Sequence, residues 1–369
     1  MKTKAAILWG LKEAWSVEEV ELDPPKANEV LVKLAASGLC HSDEHLRTGD
    51  IPIPFPVIGG HEGAGIVQEV GPGVEGIVPG DHVVLAFIPA CGVCRYCSEG
   101  HSNLCDLGAG IILGPQTDGT YRFHAKGEDI GQMCMLGTFS PYTVVPASSV
   151  VKIDDGISLV SAALVGCGVT TGYGSAVHSA EVEPGETVVV MGIGGIGINA
   201  VQGARVAGAT NIIAIDPIAF KREMALQFGA THVASNVDQA WTIVSELSRG
   251  QMADKAIITT DVLEGSYVAQ ALSLVGKKGR VVMTAIGHPE DTTASLSVFE
   301  MTLYEKELRG ALFGSSNPRV DIVRILNQYQ RGNVKLDELI TKTYKLEDIN
   351  QGYDDMLSGK NIRGVVVYD

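Results

Sequence analysis

The run Glu186–Met191 is β-branched through Thr187, Val188, Val189 and Val190, and it passes straight into Gly192-Ile193-Gly194-Gly195-Ile196-Gly197. Ile198–Ala207 then has helical character and stops at Gly208. A G-x-G-x-x-G string alone carries little information. Between a strand and a helix it is the dinucleotide fingerprint, because its glycines allow a tight turn and let a pyrophosphate approach the helix N-terminus. The next strand, Asn211–Ile215, ends at Asp216, nineteen residues after Gly197. A carboxylate there accepts hydrogen bonds from ribose hydroxyls and repels a 2′-phosphate, which favours NAD over NADP. Lys221 is close enough in sequence to help hold that ribose, although an ordinary helix lysine needs no such role. Further strands at 255–259, 280–285 and 309–313, with a helix over about 267–274, give a strand-helix alternation that predicts a doubly wound parallel sheet.

The first half reads differently. Short strands at 17–22 and 29–34 flank Pro24-Pro25, an extended connector spans 51–57, and a turn at 78–81 feeds a buried strand ending at Leu85. Such strands with Gly/Pro turns predict a small β-barrel. Residues 107–132 are rich in Gly and poor in long apolar runs, so a long surface excursion is expected there. The segment from Arg319 carries two helix-like stretches and a final strand, Gly364–Tyr368, and is expected to return to the first domain. At 369 residues, two domains are the natural expectation.

The cysteines divide into two sets. Cys91, Cys94, Cys97 and Cys105 have C-x2-C-x2-C-x7-C spacing, and four thiolates saturate a tetrahedral zinc, giving a structural site. An iron–sulfur cluster would normally show a three-residue last gap followed by Pro, where this chain has seven and Asp106. The other set is dispersed: Cys40, His61 beside Glu62 in a glycine-dense run closing at Gly71, and Cys167 between Gly166 and Gly168. Two thiolates and an imidazole from three segments suit a zinc with an open position. Ser42 offers a hydroxyl that donates and accepts a proton, and His45 follows it by one helical turn. Cys134, between Met133 and Met135, is read as core packing.

Lys+Arg number 28 against 43 Asp+Glu, and a net charge of −15 repels a phosphate backbone, so nucleic acid is not expected as a partner. No stretch reaches the roughly 18 apolar residues of a membrane span. Free, metal-spaced cysteines and no signal-like segment lead us to expect a soluble cytoplasmic protein.

These residues resemble the zinc-containing medium-chain alcohol dehydrogenases over essentially the full length. Gly60-His61-Glu62-x2-Gly65-x5-Gly71 is similar to that family's zinc signature, and the four-cysteine lobe and Gly192–Gly197 follow in the family's order. The resemblance implies an α/β protein in which a GroES-like β-barrel catalytic domain (1–168 and 313–369) carries an inserted Rossmann cofactor domain (169–312). It implies two zinc ions per chain and NAD. Cys40, His61 and Cys167 would ligate the catalytic zinc, with Glu62 beside it. Ser42 and His45 would form the proton relay and Asp43 would support a ligand, while Arg363 would contact the pyrophosphate. His41 stands where many members have Arg, which weakens the phosphate grip there.

The resemblance narrows to the nicotinoprotein alcohol dehydrogenases, which use a nitrosoaniline acceptor and are associated with mycofactocin. It is carried by residues 133–139, 250–254, 313–318 and 359–364. Retained NAD, an external electron acceptor, primary alcohol or aldehyde substrates and a homo-oligomer (dimer or tetramer) follow from that resemblance alone. The competing readings are a thiol-dependent formaldehyde dehydrogenase, an ordinary NAD-exchanging alcohol dehydrogenase and a zinc-bearing redox sensor.

Overall fold

The computed structural model describes residues 1–288 and 290–369, which form two compact units: Met1–Cys167 with Asn317–Asp369, and Gly168–Ser316. The units divide at Cys167/Gly168 and Ser316/Asn317, where the sequence-based expectation is 168/169 and 312/313.

In the first unit, Lys2–Leu8, Ser16–Leu22, Phe123–Ala125, Glu128–Gln132 and Val57–Ile58 close into a barrel. A second sheet is ordered Val150–Lys152, His82–Leu85, Gly63–Val70, Glu29–Gly38, Arg363–Val367 and Ile340–Tyr344, with Tyr142–Pro146 also paired to Glu29–Gly38. The returning segment is therefore stitched in by a strand: Val365, Val366 and Val367 pair antiparallel with Gly38, Ser37 and Ala36. Val365 and Val366 are fully buried, which explains why an apolar run here takes an interior place. An aromatic group underlies the Gly59-Gly60 turn, with Trp15 edge-on to Phe139 at 5.3 Å and stacked near Tyr353 at 6.0 Å.

Residues 107–121 form no strand and are mostly exposed or half-exposed, as a surface excursion would be, but the rest of the span to 132 departs from that expectation. Phe123–Ala125 and Glu128–Gln132 are barrel strands, the first only three residues long and the second with Ile130 as its one large apolar residue, so neither gives a readable alternating run. Arg122, fully buried, ties this stretch to the barrel by donating to both Glu29 oxygens, at 2.7 and 2.5 Å. A buried cation with two bonds to a buried carboxylate is a satisfied pair, where either charge alone would be costly.

The second unit is a six-stranded parallel sheet ordered His232–Ala234, Asn211–Ile215, Thr187–Met191, Ala253–Ile258, Val275–Met283 and Glu307–Gly310. Counted within the unit this is the 3-2-1-4-5-6 order, with its reversal between Thr187–Met191 and Ala253–Ile258. Val188, Val189 and Val190 are fully buried, as strands covered on both faces require. The helix expected over 267–274 spans Gly265–Leu274, and the following strand starts at Val275 instead of Arg280. No single helix among the described residues is long and apolar enough to cross a membrane.

Candidate active site

The chain leaves the strand Glu29–Gly38, and Cys40, in extended backbone, opens the helix His41–Thr48. His61 and Glu62 immediately precede the strand Gly63–Val70, and Cys167 follows the turn Ala163–Gly166. These four buried residues each present a ligand atom, all within 4.8 Å of one another.

The surroundings hold them in place. The Gly60 N–H donates to Asp43 Oδ1 at 2.7 Å, while Asp43 Oδ2 faces His61 Nδ1 at 3.3 Å. That fixes the ring and leaves Nε2 toward the thiols, the arrangement in which a carboxylate orients a metal-bound histidine. His61 Nε2 is buried with no hydrogen-bond partner among the described residues, and an orphaned buried ring nitrogen is what a missing ligand bond leaves behind. Burial works against a charge on His61, but Asp43 and Cys40 outweigh it and push its proton affinity well above the usual range. The two thiols split. Hydrogen bonding from Cys167, together with His61 and Arg363, holds Cys40 well below an ordinary thiol, while the same contact and burial push Cys167 well above. A divalent cation would replace these shared protons, so the donor set fits zinc, with Glu62 as a fourth candidate donor.

Arg363 departs from the sequence-based expectation. Its guanidinium is buried and donates to Glu62, and its charge also acts on Cys40 and Cys167. The side chain serves the thiol cluster because it sits at the first position of a strand paired beside Gly38. Its Nε has no partner among the described residues.

Ser42 Oγ lies 3.7 Å from Cys40 Sγ. His45 is one turn further along and buried, and its imidazole ring lies 6.5 Å from that of His41, the residue before Ser42. His45 Nδ1 meets Asp50 Oδ2 at 3.1 Å. Sequence reasoning missed Asp50, although an Asp directly after the helix-stopping Gly49 was a usable signal. It also missed Tyr353, whose buried hydroxyl is influenced by Asp43 from 310 positions away in the chain, for which no local pattern exists.

The four-cysteine lobe is a second candidate zinc site, with all four ligand atoms within 4.8 Å. Its sulfurs already accept from backbone: Cys94 N–H to Cys91 Sγ at 3.3 Å, Cys91 N–H to Cys105 Sγ at 3.4 Å and Cys97 N–H to Cys94 Sγ at 3.5 Å. Burial raises the Cys91 thiol, but the Val93 and Cys94 N–H groups more than offset this and lower it to about 7; burial pushes Cys105 up to about 12. Cys134 is buried and outside both sets, and burial pushes its thiol up to about 12.

In the second unit Gly192 turns the chain at φ +91°, and the Ile193 N–H donates to Asp216 Oδ2 at 2.8 Å. The Ile218 N–H holds the other oxygen at 2.9 Å, so the carboxylate is fixed at the strand end. A Cβ on Gly197 would lie 1.9 Å from the Gly192 oxygen, whereas one on Gly194 would meet nothing within 4 Å. The first glycine lets chain approach chain; the second leaves room for a ligand at the start of the helix Gly195–Ala207, where Gly195 and Ile196 lie. These residues fit a dinucleotide. Lys221 lies half-buried on the helix Ala219–Phe228, and it is Arg222 that caps the turn, donating to the Asp216 and Pro217 carbonyls.

Two family models match the chain: alcohol dehydrogenase GroES-like domain over residues 26–155, and zinc-binding dehydrogenase over 195–328. The chain is 56% identical to an NDMA-dependent alcohol dehydrogenase of Amycolatopsis methanolica over 368 residues, covering 100% of this chain and 99% of the other. It is 52% identical to alcohol dehydrogenase B of Mycobacterium tuberculosis over 370 residues, again covering 100% and 99%. Among solved structures, an alcohol dehydrogenase zinc-binding domain protein from Burkholderia ambifaria superposes with a TM-score of 0.93 at 31% identity, covering 100% and 99%. Benzyl alcohol dehydrogenase from Acinetobacter calcoaceticus does so with a TM-score of 0.92 at 28% identity, covering both chains fully.

Proposed function

The chain belongs to the zinc-containing medium-chain alcohol dehydrogenases, and from that premise we propose that it oxidises primary alcohols to aldehydes using an NAD retained in its site and reoxidised there by an external electron acceptor. The reading is carried by the buried Cys40, His61, Glu62 and Cys167 cluster, taken with 56% identity to an NDMA-dependent relative.

When bound, zinc supplies Lewis acidity toward an alcohol oxygen and NAD supplies the hydride acceptor. The remaining work falls to the chain. Cys40, His61 and Cys167 hold the metal, with Glu62 adjacent, and Asp43 keeps the His61 ring in the orientation that binding needs. Arg363 offsets the negative charge of two thiolates and Glu62, which in a buried cluster would otherwise be self-repelling. Ser42 takes the hydroxyl proton and passes it toward His45, both on one face of the helix His41–Thr48. Gly192, Gly194, Gly195, Ile196 and Gly197 seat the pyrophosphate, Asp216 selects ribose over its 2′-phosphate, and Lys221 adds to the grip on that ribose. A cytoplasmic homo-oligomer, dimer or tetramer, completes the reading.

Freshly purified, desalted protein should carry about one nucleotide per chain and bleach a nitrosoaniline dye when alcohol is added. The nucleotide released on denaturation should be NAD. Sustained accumulation of free NADH without an acceptor, from protein whose site empties on desalting, would place the chain among the NAD-exchanging members. Asp216→Ser should reduce discrimination against NADP by roughly 1–3 kcal/mol, the value of a lost charged hydrogen bond.

A further inference from the structure

The helix His41–Thr48 ends in a way that returns the chain to one of its own side chains. Continued as a regular helix, Asp50 would lie about 140° around the axis from His45 and face away from it. Instead Gly49 adopts φ +96°, and the Gly49 and Ile51 N–H groups both donate to the His45 carbonyl, at 3.0 and 3.1 Å. That double closure folds residue 50 back beneath the imidazole. Asp50 Oδ2 receives the Thr48 hydroxyl at 2.6 Å and meets His45 Nδ1 at 3.1 Å, so a single oxygen is anchored from two sides. An ionised carboxylate only accepts hydrogen bonds, so the nitrogen facing it carries the hydrogen and the lone pair sits on Nε2. The His45 side chain is 11% exposed and that of Asp50 38% exposed, so the pair reaches from the interior to water.

We propose that Asp50 is a positioning residue for proton release: it fixes His45 in the Nδ1-protonated tautomer, so that Nε2 is the atom that accepts the proton leaving the site. The inference rests on the relay reading of Ser42 and His45. In the step, the donor's O–H bond breaks, an N–H bond forms at Nε2, and the imidazolium is stabilised by Asp50, which keeps its own charge. A water or buffer base then removes the proton from Nε2 and restores the starting tautomer. No electron pair leaves the ring and no co-reactant beyond solvent base is needed.

The test uses the full-length enzyme with its metals and nucleotide, in four variants: Asp50→Ala, Asp50→Asn, Asp50→Glu and His45→Gln. Asp50→Ala and Asp50→Asn should lower kcat by roughly 10- to 100-fold, as loss of a carboxylate that orients a functional histidine does, with KM little changed. Imidazole added to the buffer should restore most of the loss, and Asp50→Glu should retain most of the activity. Nitrogen-15 spectra should show the His45 Nδ1-protonated form in the parent and a tautomer mixture in Asp50→Ala. Wild-type kcat in Asp50→Ala alongside a large loss in His45→Gln would overturn the role of Asp50 and leave the relay intact. Wild-type kcat in His45→Gln would overturn both. A loss in Asp50→Ala that imidazole does not rescue, with the His45 tautomer unchanged, would assign Asp50 to helix termination alone and refute the inference.

Discussion

Cys91, Cys94, Cys97 and Cys105 come from one short stretch, are partly exposed except for the buried Cys105, and have sulfurs oriented by neighbouring backbone N–H groups. Cys40, His61, Glu62 and Cys167 come from three segments, are all buried, and depend on Asp43 and on Arg363 from a strand that joins from the far end of the sequence. The first cluster is a local device, and its geometry follows from tight turns. The second is an outcome of the whole first unit. Local organisation suits a site that must saturate its metal; long-range organisation puts donors in a buried place where their charges are tuned by several elements.

The largest test of that contrast is to remove one sulfur from each. Cys167→Ala should lower kcat by about 1000-fold or more, since several kcal/mol of Lewis-acid stabilisation are lost, while circular dichroism shows a folded chain with less bound zinc. Cys97→Ala should act oppositely, lowering soluble yield and Tm by roughly 10 °C while activity per folded chain survives. Equal behaviour of the two variants would end the distinction.

Charge compensation is the next difference. Arg363→Met leaves Glu62 buried without its cation and should cost about 3–5 kcal/mol, read as a shift in the urea midpoint, with Glu62→Gln on the same chain recovering much of it. By contrast Arg95→Met, which removes an exposed partner of Glu99 next to the lobe, should cost less than about 1 kcal/mol. If the two shifts are similar, the buried cluster is not electrostatically braced.

The smallest effect concerns the support of the Arg363 strand. Hydrogen bonding from Lys342, then from Tyr344, holds the Asp355 carboxyl down at about 2 from its ordinary 3.8, and Asn361 in turn donates to the Tyr344 hydroxyl. A carboxyl that is more acidic folded than unfolded stabilises the fold fully above its ordinary value and loses that contribution as pH falls from about 3.8 toward 2. Asp355→Asn should therefore flatten the acid limb of stability over that window, measured by urea midpoints against pH, and leave the lobe's zinc content unchanged at neutral pH. An unaltered acid limb would detach Asp355 from the bracing.

What the sequence disclosed follows the same divide. The strand, glycines and helix around Gly192–Gly197 were readable because turn, strand and helix signals are neighbours, and the four-cysteine spacing was readable for the same reason. The barrel and the parallel sheet also followed from local patterns. The strands Phe123–Ala125 and Glu128–Gln132 were not, because they are held by barrel closure and by Arg122, not by apolar alternation. The start of Val275–Met283 was hidden by Gly276, Lys277, Lys278 and Gly279, which resemble a turn and include a positive φ at Lys278. The partner of Arg363 depends on which strand lies next to Gly38, and no residue near Arg363 in sequence records that.

The pairing of Glu62 with Arg363 spans 301 positions. A ribosome adding about 5–20 residues per second needs about 15–60 s to travel from one to the other. Throughout that interval Glu62 exists and its countercharge does not. The segment 168–316 emerges whole in the meantime, and its six-stranded sheet draws on no later residue. Birth order thus runs against catalytic order: the nucleotide-binding unit has all its parts early, while the metal-bearing unit must wait as an unfinished, acid-rich shell for the last strand to arrive.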